Sequence, residues 1–150
     1  MIIPGGTCKI EETKCLLDEI TKDNMPHSIE YDPLGIISIK VQGTLTMTVV
    51  RNFAMDAVHL AKEKDCFRVL TDLQEAKLRL SMLELYNLPK VLSEIAATTG
   101  LQVYQFKRVV ITRDDDEELL PFYENVARNR IQNLRLFHDV ESAQQWLLEA

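Results

Sequence analysis

The sequence is poor in glycine, proline and cysteine, with five, five and three of them in 150 residues. So little glycine and proline excludes a fibrous or low-complexity chain. An odd number of cysteines, without a Cys-x-x-Cys pair, argues against a disulfide framework or a zinc site. We therefore expect Cys8, Cys15 and Cys66 to be reduced, buried thiols.

Long apolar runs are also missing. The longest stretch without a formal charge, residues 95–106, is shorter than the roughly 20 residues that a transmembrane helix needs. Residues 1–6 contain neither the basic cluster nor the apolar run of a secretory leader. These absences predict a cytoplasmic protein without a membrane span.

An excess of positive charge is absent as well. Lys and Arg number 17 against 23 Asp and Glu, which gives a net charge of −6 and a pI near 5.1. Nonspecific nucleic-acid binding depends on clustered Lys and Arg, so we do not expect a nucleic-acid partner. What the chain does contain is 46% apolar and 27% charged residues, the composition of a globular domain.

The first 26 residues differ in pattern from the rest. Residues 8–22 carry a narrow apolar stripe at helical spacing, and Pro26 follows soon after. We expect residues 1–26 to form an N-terminal arm that is helical over 8–22. Residues 27–150 are long enough for one domain and contain no linker that would divide them.

The domain is predicted to begin with a β-hairpin. Residues 28–32 and 37–42 alternate apolar and polar side chains, which is typical of half-buried strands. Asp32-Pro-Leu-Gly35 between them fits a type I turn. We expect Gly43 to end the second strand.

Helices and strands then alternate. Helices are predicted after the caps Thr44 or Thr46, Ser81 and Asp139, and after the acidic residues 114–118. The predicted strands span residues 67–73, 108–112 and 134–138. This alternation implies right-handed crossovers and a mainly parallel sheet. The predicted fold class is α/β, a single domain with a five-stranded mixed sheet and helices on both faces.

The sequence also predicts a loop, a helix break and the orientation of two side chains in the last helix. Residues 74–79 should form a polar loop after the third strand. Pro89 should break or kink the helix that starts at Ser81. Val140 should face inward from the last helix, and Trp146 should be largely buried.

Several segments resemble a known family. They are residues 41–46 (Val-Gln-Gly-Thr-Leu-Thr), residues 70–73 (Leu-Thr-Asp-Leu) with Ser81 beyond them, and residues 134–147. Together they resemble the SpoIIAA-like, or STAS/SEC14-like, family over about residues 27–150. The resemblance implies a small α/β domain that binds partners and is not known for catalysis. It also implies a phosphorylated serine at the start of the helix after the central strand, the place that Ser81 occupies.

Ser81 has two interpretations. Ser81-Met-Leu-Glu84 is a capping box, in which the serine hydroxyl accepts from a free helical N–H and the glutamate reaches back. We expect this structural role. The alternative is a regulatory phosphate, which would add about −1.5 to −2 charge at a helix N-terminus. The small and acidic neighbours of the family's phosphorylated serine are replaced by Leu80, Met82 and Leu83.

Polar residues follow the third predicted strand, where open α/β sheets usually bind ligands. They form a candidate partner or ligand face with Ser81, and the residues are Asp72, Glu75, Lys77, Arg79 and Ser81. A solvated loop is the alternative interpretation.

Catalytic and metal-binding patterns are not found. The three histidines form no His-x₃-His or His-Glu-x-x-His pair, and P-loop, Gly-x-Ser-x-Gly and dinucleotide-binding sequences are absent. The consecutive acids at 114–118 lack the spacing of a calcium loop. We predict no enzyme activity, cofactor or metal.

Two functions fit this pattern. The first is a regulatory or scaffold module that docks a partner protein, or a second copy of itself, through the face around residues 72–85. The second is a carrier for a lipid or another apolar small molecule. A groove lined by Phe53, Leu80, Leu83 and Leu85 would favour the carrier, whereas a filled core would favour docking.

Overall fold

The computed structural model describes residues 27–113, 119–130 and 132–149, so the predicted arm at 1–26 and the acidic residues 114–118 lie outside the described residues. The strands are β1 (His27–Tyr31), β2 (Ile37–Leu45), β3 (Arg68–Leu78), β4 (Lys107–Ile111) and β5 (Asn133–Phe137). The helices are α1 (Met47–Lys64), α2 (Met82–Ala97), α3 (Leu119–Asn129) and α4 (Val140–Leu148).

The five strands form one mixed sheet in the order β1-β2-β3-β4-β5. β1 pairs antiparallel with β2, and the remaining neighbours are parallel, as predicted. Because the order in the sheet follows the order in the chain, right-handed crossovers place α1, α2 and α3 on one face. α4 follows the last strand and covers the other face.

The buried side chains confirm the two layers. The larger core joins the sheet to α1, α2 and α3 and includes Val110 of β4. The smaller core lies under α4 and includes Val109 and Ile111 from the same strand. The alternation of side chains along β4 therefore sends consecutive apolar residues into two different cores.

The predicted turn between β1 and β2 is present. Gly35 donates its N–H to the carbonyl of Asp32 at 3.0 Å, and Asp32 Oδ1 accepts from the N–H of Leu34 at 2.9 Å. Gly35 has a φ of +80°, a conformation that costs glycine little and other residues more. The side chain of Asp32 accepts a hydrogen bond from the backbone of the turn that it begins, which is why aspartate is favoured at this position.

Two strand ends differ from the prediction. β2 continues past Gly43 to Leu45, and β3 runs to Leu78, so the predicted polar loop at 74–79 is wrong over most of its length. The reason is a β-bulge, since Lys40 pairs with Asp72 and Gln42 pairs with Glu75. One extra residue in β3 interrupts the period of two, and the sequence pattern then looks irregular.

The predicted break at Pro89 is also wrong, because α2 runs without interruption from Met82 to Ala97. Proline removes one helical N–H donor. Burial of Leu85, Leu88 and Pro89 itself against the larger core compensates for that loss.

The outer side of α4 is more open than predicted. Val140 is 39% exposed rather than inward-facing, whereas Ala143 and Leu147 are buried as expected. Trp146 is half-buried rather than largely buried. α4 is the only described helix on its face of the sheet, so no neighbouring helix covers the outer edge of the indole.

Candidate partner-binding surface

The surface begins where the chain leaves β3 and enters α2. The N–H of Arg79 donates to the carbonyl of Leu45 at 2.9 Å, which attaches this connection to the end of β2. Leu80 is buried beneath it, and Ser81 is exposed. The start of α2 is thereby fixed at the carboxyl edge of the sheet.

Ser81 forms the predicted capping box. The N–H of Glu84 donates to Ser81 Oγ at 3.0 Å, and the N–H of Ser81 donates to Glu84 Oε1 at 2.9 Å. Both bonds satisfy backbone donors that the first helical turn leaves free. The hydroxyl of Ser81 therefore has a structural role whether or not it is ever modified.

The five candidate residues do not form one cluster. Alternation with the buried Leu70 places Asp72 on the face that carries α4, and Asp72 Oδ1 accepts from the N–H of Gln74 at 3.0 Å. Glu75 and Lys77 alternate with the buried Ala76 and are exposed. These three belong to the sheet itself, whereas Arg79 and Ser81 lie at its edge.

Glu75 is held by its neighbours on β2. Its carboxylate lies 3.1 Å from Lys40 Nζ and accepts a 2.9 Å hydrogen bond from Gln42 Nε2. The hydrogen bond from Lys40, followed by that from Gln42, lowers the pKa of the Glu75 carboxyl below its ordinary value. This cross-strand contact gives Glu75 a structural role, and it leaves the carboxylate less available to a partner.

An exposed apolar patch lies on the first turns of α2. Met82, Leu83 and Tyr86 are 48%, 68% and 49% exposed. They occupy positions i, i+1 and i+4, so they share one side of the helix. Leu85 and Leu88 face the core from the other side. We call Met82, Leu83 and Tyr86 the Leu83 patch.

A groove lined partly by Leu83 would have favoured the carrier, but the side chain of Leu83 is exposed to solvent. The width of the apolar stripe on α2 could have indicated that some of its apolar residues are exposed. A helix that buries one face needs apolar residues at about three or four positions in every two turns. In α2, apolar residues at 82, 83, 85, 86 and 88 exceed what one buried face can use.

Basic residues lie beside the Leu83 patch. The guanidinium of Arg130 lies 5.3 Å from the centre of the Tyr86 ring. Lys90 is exposed one helical turn after Tyr86, and Arg79 is exposed just before the start of α2. Lys77 does not belong to this group, because it alternates with the buried Ala76 and so points away from α2. Within the part of the chain that the structure describes, none of the other three cations forms an ion pair. The patch therefore has an apolar centre with basic residues beside it.

A cavity of about 110 Å³ lies under the patch, between the sheet and helices α1, α2 and α3. Phe53, Leu80 and Leu85, three of the four residues that a carrier groove would use, line it, but Leu83 does not. The other lining side chains are almost all apolar. Arg108 is the only charged one among the described residues.

The geometry defines the class of fold, a SpoIIAA-like α/β domain. A crystal structure of an anti-sigma factor antagonist from Mycobacterium paratuberculosis has a TM-score of 0.51 and 15% identity, and the match covers 82% of this chain and 93% of that one. An uncharacterized protein with a SpoIIAA-like fold from Shewanella loihica PV-4 has a TM-score of 0.47 and 20% identity, with 81% and 91% covered. No family model and no curated protein matches the sequence. At these identities the likeness concerns the fold, and it confirms the resemblance predicted from the sequence.

The described residues show neither a membrane-spanning helix nor a metal-binding cluster. No described helix is long and apolar enough to cross a membrane. No group of three or more His, Cys, Asp and Glu side chains in the described ranges is arranged to hold a metal ion.

Proposed function

We propose that this protein is a non-catalytic regulatory or scaffold module that docks a partner protein through the face around residues 72–85. The observation that carries the proposal is the Leu83 patch, where three large apolar side chains are exposed side by side. Single exposed apolar residues are common, but contiguous ones mark interaction sites. The M. paratuberculosis protein of similar fold is an anti-sigma factor antagonist, and this supports the same class.

The rim of the patch indicates the chemistry of the partner. Three cations without an ionic partner among the described residues, Arg79, Lys90 and Arg130, lie beside an apolar centre. A partner with apolar side chains at its centre and carboxylates around them would complement both. Oppositely charged rims mainly accelerate association, so binding should weaken at high salt. A second copy of this chain is a less suitable partner, because its own rim is basic as well.

Ser81 is the candidate regulatory residue of this face, as a proposal in line with the family resemblance. A phosphate there would add negative charge beside Arg79 and next to the Glu84 carboxylate, which the capping box holds close. Repulsion would displace Glu84, and the rim would become less basic. Such a phosphate would therefore weaken docking of an acidic partner, while capping remains the role that we favour for the unmodified hydroxyl.

The experiment is affinity capture from the native host, comparing wild type with Leu83→Lys by quantitative mass spectrometry. Leu34→Lys is the matched control, because Leu34 is an exposed leucine in the β1–β2 turn. A protein lost with Leu83→Lys and retained with Leu34→Lys is then purified and its Kd measured. The proposal predicts at least a tenfold weaker Kd for Leu83→Lys and weaker binding at 0.5 M than at 0.05 M salt. An unchanged Kd would contradict it.

The same capture tests the role of Ser81. If Ser81 is only a cap, Ser81→Asp should bind like wild type, since aspartate also caps a helix. If it is a switch, Ser81→Asp should lose the partner, while Ser81→Ala keeps it. Sedimentation of the purified protein alone tests self-association.

The carrier remains an alternative. The observation that supports it is the cavity, which Phe53, Leu80 and Leu85 line. Pockets for drug-sized ligands span about 300–1,000 Å³, several times the 110 Å³ found here. A lipid would fit only if the helices moved apart, so the alternative is best tested with smaller ligands.

A further inference from the structure

Arg108 is half-buried at the edge of the larger core. It lies on β4, lines the apolar cavity, and donates from Nη1 to the hydroxyl of Tyr123 at 3.1 Å. Its Nη2 donates to Gln132 Oε1 at 2.7 Å. Its Nε is enclosed and has no hydrogen-bond partner among the described residues. Both acceptors are neutral, and no carboxylate among the described residues pairs with this guanidinium.

The guanidinium in this position is incompletely paired. Arginine keeps its charge in proteins, and a half-buried charge loses part of its hydration, which neutral acceptors replace only in part. A buried donor without a partner is also rare in native structures. Among the described residues, the site therefore has an N–H donor without an acceptor and a positive charge without a carboxylate.

The neighbouring space is apolar. Leu85, Leu88, Leu92 and Val110 belong to its lining, with Tyr123 beside the guanidinium. A water in a cavity needs two to four polar partners, whereas an apolar cavity of about 150 Å³ holds benzene without water. A volume of about 110 Å³ suits an apolar group of roughly four to six carbon atoms.

We propose that this cavity binds a small carboxylic acid, with its short apolar tail among the leucines and its carboxylate on Arg108. The Arg108 side chain would shift so that its enclosed Nε–H and a neighbouring Nη–H both donate to the carboxylate, the fork that arginine offers to planar anions. The carboxylate would supply an acceptor for Nε–H and a negative charge together. The proposal stands on the cavity and Arg108 alone and does not depend on partner docking.

The first test uses the wild-type protein and titrates butyrate, pentanoate, hexanoate and benzoate, followed by ¹H–¹⁵N NMR. Pentanamide, which has the same shape without the charge, is the matched ligand. The proposal predicts saturable binding of at least one acid, with the largest shifts at cavity residues and at the Arg108 Nε–H. It also predicts at least tenfold weaker binding of pentanamide than of pentanoate. Equal affinity for acid and amide, or no saturable binding of any acid at millimolar concentrations, would overturn it.

Variants locate the site. Arg108→Met should abolish the preference for the acid over the amide, and Arg51→Met, at an exposed position on α1, should keep it. Ala54→Leu should fill the cavity and abolish binding of every ligand, and it serves as the second variant if Arg108→Met does not fold. Unchanged acid binding in Ala54→Leu would place the ligand elsewhere and would refute the assignment.

Discussion

Arg68 Nε donates a hydrogen bond to the carbonyl oxygen of Leu147 at 3.1 Å, joining the first residue of β3 to the end of α4. Lys107 Nζ, at the start of β4, donates to the carbonyl of Glu149 at 3.0 Å. α4 has no basic residue in its own last turn. Two cations from the sheet thus satisfy carbonyls that a helix end leaves free and oppose the negative end of its dipole.

Because of this contact, we expect a substitution of Arg68, far from the candidate surface, to change the free energy of unfolding. Arg68→Met should lower the free energy of unfolding by roughly 1 kcal/mol, because a charged hydrogen bond to the end of α4 is lost. Arg51→Met, at an exposed position on α1, should change it by less than about 0.5 kcal/mol. Urea denaturation of the three proteins measures both values. Equal stability of Arg68→Met and wild type would show that the contact contributes nothing.

Ser81 gives a second stability prediction. Ser81→Ala should cost about 1 kcal/mol, because the Glu84 N–H loses its acceptor, and Ser81→Asp should cost little. Glu84→Ala tests the other half of the box. In a double-mutant cycle the two sites should couple, since the two side chains cap one turn reciprocally. Strictly additive losses would mean that the two hydrogen bonds act independently.

Local patterns were sufficient to predict most of the fold. The hairpin turn at Asp32, the caps at Thr46, Ser81 and Asp139, and the order of the elements depend on residues close together in sequence. The end of β3 was missed because the bulge opposite Val41 breaks the period of two. Pattern reasoning has no means to place a single extra residue.

The candidate surface was predicted less well. Ser81 was found because a capping box is a local motif. The exposure of Leu83 depends on which side chains of α2 reach the core. The spacing of apolar residues along a helix indicates its buried face only approximately. The network of Arg108, Tyr123 and Gln132 joins β4, α3 and the approach to β5, and no spacing in the sequence indicates such contacts.

Gln132 connects that network to α2 and should be sensitive to change. Its buried amide donates to the carbonyl of Pro89 at 2.9 Å and accepts from Arg108. Gln132→Ala removes the acceptor of Arg108 Nη2 and the side-chain donor to the Pro89 carbonyl, so we expect a loss of roughly 1–3 kcal/mol of unfolding free energy. Gln145→Ala, at an exposed position on α4, is the control and should be close to neutral. A loss below about 1 kcal/mol for Gln132→Ala would mean that water replaces the amide.

The cap formed by Asp139 should stabilise the protein by an amount that depends on pH. Its carboxylate accepts from the N–H of Ser142 at 2.7 Å, and this backbone hydrogen bond lowers the pKa of the Asp139 carboxyl below its ordinary value. A carboxyl whose pKa is lower in the folded protein stabilises it fully above the unfolded pKa of about 4. That contribution is lost as the pH falls through the lower, folded pKa.

Thermal unfolding of wild type, Asp139→Ala and Asp139→Asn between pH 8 and pH 3 measures this effect. The Tm of Asp139→Ala should lie below that of wild type by a constant amount from pH 8 to about pH 5, and the gap should narrow below about pH 4. Asp139→Asn keeps a capping oxygen without a titrating group, so its Tm should exceed that of Asp139→Ala by the same amount at every pH. The other carboxyls titrate alike in all three proteins and cancel in these differences. A gap between wild type and Asp139→Ala that stays constant down to pH 3 would show that the cap does not depend on the charge of Asp139.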